Sequence, residues 1–463
     1  MRVLLVRTVA ALCFAGVGAV HAQIEVGTFH NPGGSLDNFG NAIAQSGDVV
    51  LIAAPVATNP VADDGGAVYI YDVNSPSEVV TTLYPSDSDF RDLFGNAIAI
   101  EGEIVLVGAP GKSDVNGQEL CFVGAAYIID ITTGQQKRLI PDDPHAEDVF
   151  GSSVAICGNI AYVGAPFSDI AANPVSNEGS VYVFDITTCE QLEKFMAPMP
   201  GAGDRFGSSL AKRGDVLIVG SPGHDDSTGE AHVFDATTLQ HTGTLTGVNG
   251  QPLDSFGDAV AIGTFGTLIG AFNAPDDIGG TGAGAAYIHD PDSEEQIDEI
   301  APSLEGDGFG TSVAVDAAAT RASAAIAVIG APGDDDEASG AGAAYVINAV
   351  TGNIITKLTA SDAQLFDLFG SFVSISGSHI VVGAPNEDTN GNNSGAAYLY
   401  RLELPCNDAD LAEPFGVLDF DDVLTFLVAF GGMQPAADLA EPAGVFDFDD
   451  VLVFLVAFGG GCM

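Results

Sequence analysis

A short phrase returns seven times along this chain and fixes what it can fold into. Phe-Gly stands at Phe39, Phe94, Phe150, Phe206, Phe256, Phe309 and Phe369, at intervals of 55, 56, 56, 50, 53 and 60 residues. In the second copy, Asp92-Leu93-Phe94-Gly95 leads through Asn96-Ala97-Ile98-Ala99-Ile100 and a tight turn into Ile104–Val107. That apolar run ends in Gly108-Ala109-Pro110. A loop rich in Gly, Asp and Asn follows, then Gly124-Ala125-Ala126-Tyr127, closing on Asp130. Units this short cannot each hold a core, so they must bury their apolar faces against one another.

Each unit carries about four strand candidates, in the third copy Lys137–Ile140, Ser152–Ile156, Ile160–Val163 and Val181–Phe184. The third of these is nearly all apolar in most copies: Val49–Ile52, Val216–Val219, Ile326–Ile329, Ile380–Val382. A strand apolar on both sides is buried on both faces, whereas a sandwich strand would alternate. Four-stranded sheets stacked around an axis meet that condition, so the expected fold is an all-β, seven-bladed propeller over residues 23–401. Within it, Gly of Phe-Gly permits a close approach and its Phe fills the gap between blades. Gly-Ala lets strands crowd, and Pro ends the strand because it donates no ladder bond.

The ends of the chain read differently. Arg2 and Arg7, an apolar stretch from Thr8 to Val20, and Val20-His21-Ala22 compose a secretory signal peptide over residues 1–22, with cleavage after Ala22. The stretch is shorter than the roughly 20 apolar residues that a membrane span requires. Export to the extracellular space or cell surface is therefore expected, with no transmembrane segment. The formal charge of −50 repels phosphate backbones and argues against a nucleic-acid partner. Solubility in a saline habitat and binding of divalent cations both remain open as reasons for it. Cys406 and Cys462 bracket the last segment, a placement that in an exported protein points to a disulfide. Cys121, Cys157 and Cys189 leave at least one odd thiol.

The loops after Gly-Ala-Pro vary most: Gly223-His224-Asp225-Asp226, Gly333-Asp334-Asp335-Asp336, Asn386-Glu387-Asp388. They are expected on one face of the ring, where loops on a rigid scaffold bind partners, although Gly, Asp and Asn are also ordinary turn formers. The pattern resembles the FG-GAP repeats of integrin α-subunit propellers and their bacterial relatives. One departure matters. Integrin-type repeats often carry an Asp-x-Asp-x-Asp-Gly calcium loop, and here that position is a bare turn: Ser46-Gly47-Asp48, Glu101-Gly102-Glu103, Cys157-Gly158-Asn159. Propeller calcium is therefore not expected. Arg213-Gly214-Asp215 spells an adhesion tripeptide but occupies the same hairpin turn.

From Cys406 a second repeat begins. Asp410–Gly432 and Asp438–Gly460 are nearly identical at a shift of 28, each an acidic loop followed by an apolar segment, Val423–Phe430 and Val451–Phe458. The aspartates before each segment suit a helix N-terminus. Residues 402–463 resemble a dockerin, the duplicated calcium-loop module that binds cohesin domains. They are closest to the Cys-bracketed tails of exported proteins from some environmental bacteria. The resemblance implies calcium ligands at Asp410, Glu413, Asp419 and Asp422, and at Asp438, Glu441, Asp447 and Asp450. Ala412 stands where the family has a side-chain oxygen, so the alternative is an acidic loop that only caps a helix. Phe420-Asp421 and Phe448-Asp449 match cohesin-contacting positions, implying a cohesin-like or cell-surface partner.

Catalysis is not expected. The eight His are scattered, Trp is absent, and only His224 beside Asp225-Asp226 sits in a plausible loop site. The expected function is a non-catalytic binding or adhesion protein, with a protein or polysaccharide ligand at the propeller loops. A dockerin-borne lyase or hydrolase and a structural envelope protein are the alternatives; turnover of polysaccharide, or a defined partner for the tail, separates them.

Overall fold

The computed structural model describes residues 23–402 apart from 116–117, 170–175, 276–281, 291–294, 302–305 and 317–324, together with Val423, Thr425, Phe426 and Val451. Its chain divides into two units, Glu25–Arg401 and a second made of Leu402–Met463 with Met1–Ile24.

The larger unit is the expected seven-bladed propeller, built from seven four-stranded sheets. Blade 1 runs outward from the axis as Ala42–Ser46, Val49–Ala54, Ala67–Asp72 and Thr81–Leu83, all paired antiparallel. The innermost strand of every blade packs on those of both neighbours, and Phe372–Ser376 of blade 7 meets Ala42–Ser46 of blade 1 to close the ring. Closure is completed at the rim. The N-terminal strand Gln23–His30 is the outermost strand of blade 7, beside Ala396–Leu402.

The blades and the sequence repeat are out of phase by one strand. Gln136–Leu139, which covers most of the first strand candidate of the third copy, belongs to blade 2 as its outer strand. Blade 3 is Ser153–Cys157, Ile160–Ala165, Ser180–Asp185 and Gln191–Phe195. A repeat that starts on a blade's outer strand must finish on the neighbour, so the two chain ends have to share a sheet.

Among the described residues no buried cluster is confined to one blade. In Val49–Ala54, Leu51 and Ala53 join a cluster with Phe94, Val105 and Val107 of blade 2. Val50, Ile52 and Ala54 join one with Val381 and Leu399 of blade 7. Each described cluster spans a seam between consecutive blades, which is why the second strands are apolar on both sides. All seven motif Phe are buried at these seams, and each stacks on an aromatic of its own blade, as Phe94 does on Tyr127 at 5.5 Å.

Glycine decides how close the blades come. A methyl at Gly108 would lie 1.9 Å from the carbonyl oxygen of Gly151, the Phe-Gly glycine of the next blade. The same meeting occurs at Gly164 with Gly207, Gly220 with Gly257, Gly270 with Gly310, Gly330 with Gly370 and Gly383 with Gly40. Each motif Phe also donates its backbone N–H across the seam, Phe94 to Gly65, Phe150 to Val123, and Phe39 to Ser394 where the ring closes.

Cys121, Cys157 and Cys189 are all free thiols. The four described residues of the tail are helical. The signal peptide, Cys406 and Cys462, the expected calcium ligands and the Phe-Asp pairs lie outside the described residues. Among the described residues no helix is long and apolar enough to cross a membrane.

The seam makes a simple prediction. Gly108→Ala drives a methyl into a backbone carbonyl and should cost about 2 kcal/mol or more, as overpacking does. Gly34→Ala, with nothing within 4 Å of its Cβ, should be close to neutral. Urea denaturation of both variants checks this; equal effects would contradict it.

Candidate functional site

Antiparallel order puts two sets of connections on one face: those between second and third strands, and those leading from an outer strand to the next blade. Hydrogen bonds tie the sets together. Leu36 N–H donates to Asn392, Arg91 to Asp64, Glu147 to Cys121, Gly203 to Ser176, Leu253 to Asp226 and Phe366 to Ser339, each pair bridging adjacent blades. The acidic loops singled out in the sequence therefore do share a face. The bare turns lie at the other end of the strands, with Gly47, Gly102, Gly158 and Gly214 all near φ +57°. Arg213-Gly214-Asp215 is one of these hairpin turns, between Leu210–Arg213 and Val216–Ser221.

The loop face is built on an aspartate two residues before each motif Phe: Asp37, Asp92, Asp148, Asp204, Asp254, Asp307 and Asp367, all buried. Sequence reasoning passed over six of them because Asp in a turn is unremarked; their constant spacing from Phe was the signal. Their Oδ2 accepts the backbone N–H three residues upstream, from Gly34, Asp89, Gly201, Gln251 and Gln364, at 2.6 to 2.8 Å. That clamp holds left-handed backbone on both flanks. Arg91, Glu147, Leu253 and Phe366 precede the aspartate at φ 63°, 70°, 79° and 64°; Leu93, Val149 and Leu368 follow it at 57°, 50° and 57°. Such conformations cost on the order of 1 kcal/mol or more each and persist only where the surroundings over-determine them.

What faces each aspartate differs from blade to blade. In blade 2, Lys112 is buried and lies 2.8 Å from Asp92, with the Asp87 carbonyl as a second acceptor, while Asp87 takes Tyr127 Oη–H and Arg138. In blade 3, Lys194 reaches Asp143 at 2.7 Å over the Tyr182 ring. In blade 6, Lys357 bridges Asp334 and Asp336 at 2.7 and 2.6 Å. The loop Gly333–Asp336 is thereby committed internally, with Asp335 accepting Gly340 N–H. Blade 7 has the same Tyr-to-Asp bond, Tyr398 to Asp362 at 2.6 Å, but Glu387 takes the place of Lys112. Asp388 there accepts Asn393 N–H, so the acids of this loop also form turns.

Blade 4 departs furthest from its siblings. His232 replaces the tyrosine that stacks on the motif Phe, and Glu230 replaces a small residue. His224 Nδ1 lies 3.3 Å from Asp204 and 3.5 Å from Glu230, His232 Nε2 lies 3.0 Å from Glu230, and His241 Nε2 is 3.4 Å from His232 Nδ1. Burial works to raise Glu230, but His232, with His224 and His241 behind it, holds its carboxyl below the usual range. The expected neighbours Asp225 and Asp226 are not the partners of His224; with Ser227 they form a left-handed turn at φ 47°, 57° and 64°. Among the described residues no group of three or more His, Cys, Asp or Glu is arranged to hold a metal ion.

Five segments of the chain match the FG-GAP repeat: residues 31–71, 78–129, 133–184, 190–234 and 354–400, together half of the sequence. The chain belongs to the FG-GAP repeat family. Each segment from 78 onward starts on the outer strand of one blade and ends on the third strand of the next, the phase of the sequence repeat and not of the blades; blades 5 and 6 share the sheet and glycine seams of the matched FG-GAP blades. No curated protein matches the chain.

The clamp aspartates set a pH dependence. Burial pushes Asp148 and Asp367 up to about 6 from an ordinary 3.8; in Asp367 the Gln364 N–H opposes this, and Glu387, Asp362 and Asp388 reinforce it. The folded state then holds protons that the unfolded chain releases between about 3.8 and 6. Their contribution to stability is therefore greatest at the acid end and declines as pH rises through that window. Asp367→Asn keeps an acceptor for Gln364 and removes the linkage. Urea denaturation should show it about 1 kcal/mol more stable than wild type at pH 7 and no better at pH 4. A variant destabilised at both values would contradict this.

Proposed function

We propose that this FG-GAP chain is an exported, non-catalytic binding protein, its loop face taking a protein ligand and its tail anchoring it to a surface or complex. The observation that carries the reading is a set of large apolar side chains standing in solvent on that face. Leu36, Phe90, Phe122, Leu253, Leu365 and Phe366 are each about half exposed or more, four of them in left-handed backbone. Arg91 caps Phe90 at 5.0 Å and Arg205 caps Phe167 at 5.5 Å, exposed cation–π pairs of the kind a partner can displace or extend. Apolar residues held on strained, rigid loops characterise an interaction surface more than a surface built for solubility alone. A polysaccharide is the less favoured ligand, since the chain has no Trp for sugar stacking.

Export and anchoring rest on the sequence of the two ends. Cleavage after Ala22 would leave Gln23–His30, the strand that closes blade 7, intact. The tail, with Asp410, Glu413, Asp419, Asp422 and their second-copy counterparts as calcium ligands and Cys406–Cys462 as a clasp, is the proposed tether to a cohesin-like or cell-surface protein.

Two variants test the parts separately. Leu253→Ser with Phe366→Ser should abolish capture of a surface protein by the loop face while the melting temperature holds. Asp410→Ala with Asp438→Ala should release the protein into the medium and lower its calcium stoichiometry, leaving capture unchanged. Capture that survives the first pair, or retention that survives the second, would overturn the corresponding half.

A further inference from the structure

The axis of the ring carries a second constellation, at the residue that follows each Phe-Gly: Asn41, Asn96, Ser152, Ser208, Asp258, Thr311 and Ser371. All seven are half-buried and close the same turn, with the backbone N–H returning to the carbonyl three residues back. Asn96, Ser152, Ser208, Asp258 and Thr311 line a cavity of about 270 Å³ on the axis, to which the inner strands of all seven blades contribute. Just beyond these residues the walls turn apolar or small, with Ile43, Ala97, Ala259 and Phe372. Ser153, Ser209 and Ser312 also line the cavity, with their hydroxyls on the Gly207, Gly257 and Gly370 carbonyls, and the ring itself stands at the mouth on the loop face.

Its hydrogen bonding has a definite polarity. Ser152, Ser208 and Ser371 each spend their hydroxyl proton on the carbonyl three residues back, at 2.8 Å, and Thr311 does so at 2.7 Å. Asn96 donates its amide to the Ser152 carbonyl. The four hydroxyls are thereby left as acceptors, and Asn96 adds an amide oxygen. Asp258 adds a carboxylate, the one charged residue of the seven, and accepts no hydrogen bond from the described residues. Burial raises it to about 6 and Arg205 opposes the rise only in part. A ring of acceptors with one unpaired carboxylate, in a chain of charge −50, calls for a positively charged occupant.

We propose that the axial mouth binds a hydrated divalent cation of the calcium type, with Asp258 as its charged ligand and the hydroxyl and amide oxygens of the ring reached directly or through water. All the donors are hard oxygens, which suit calcium; with a single carboxylate, the affinity belongs in the range of about 10⁻⁴ to 10⁻³ M. The site is separate from the tail and from the position of the integrin-type calcium loops. An ion there would touch several blades at once, tying the inner strands together.

The full-length protein tests this with Asp258→Ser, which installs the residue that blades 3 and 4 carry at this position. At about 10 mM calcium, wild type should gain more in melting temperature than the variant and bind one more ion per chain. The tail's sites should be the same in both. Equal stoichiometry and equal stabilisation would overturn the proposal. Crystals of the wild type soaked in a lanthanide supply the second arm, independent of the variant's folding. A peak at the axial mouth beside Asp258 supports the site; an empty mouth, or an ammonium ion in place of the metal, overturns it.

Discussion

Everything in this ring depends on one contact: the Cα of the glycine that ends each second strand against the carbonyl of the glycine that opens the next blade. Where Gly108 meets Gly151 there is no room for a methyl group, and the contact recurs at six of the seven seams. Because the backbones touch, the N–H of each motif Phe can bond across the seam while its ring plugs the space beneath. Blade 1 shows the tolerance. Ala53 takes the glycine's place there and packs against Gly95.

Close seams leave the blades' loop ends crowded, and the fold meets this with buried aspartate. A carboxylate that accepts a backbone N–H three residues back is a compact way to hold a turn whose flanks are left-handed. The cost is a charge out of water, and the blades offset it differently: Lys112 beneath Asp92, the His224–Glu230–His232 chain near Asp204, and, in blade 7, a raised Asp367 facing Glu387. Much of the acidic character on this face is accordingly structural. Asp334, Asp335 and Asp388 fold their loops before they are available to anything else.

How far the sequence could be read follows from these facts. Phe39 to Phe369, the twice-buried strands and the bare hairpin turns were legible because period and apolar character act locally. The phase of the blades was not, since nothing within Gln136–Leu139 says which neighbour it will join; only closure of the ring by Gln23–His30 decides that. The clamp aspartates escaped because each alone reads as an ordinary turn residue. Pairings such as Lys194 with Asp143 join residues far apart in the chain, and no spacing rule marks them. His224 stands out in the sequence beside Asp225 and Asp226, but the groups it faces, Asp204 and Glu230, come from neighbouring segments.

If the seams hold the ring and no blade stands alone, the unit should lose its structure as a whole. Hydrogen exchange by mass spectrometry, on a chain lacking Gln23–His30, measures this directly. Protection should fall in all seven blades together, because opening blade 7 frees a seam on each side and the loss propagates. Protection lost from blade 7 alone, with blades 2 to 5 unchanged, would contradict it and show that the blades carry stability of their own.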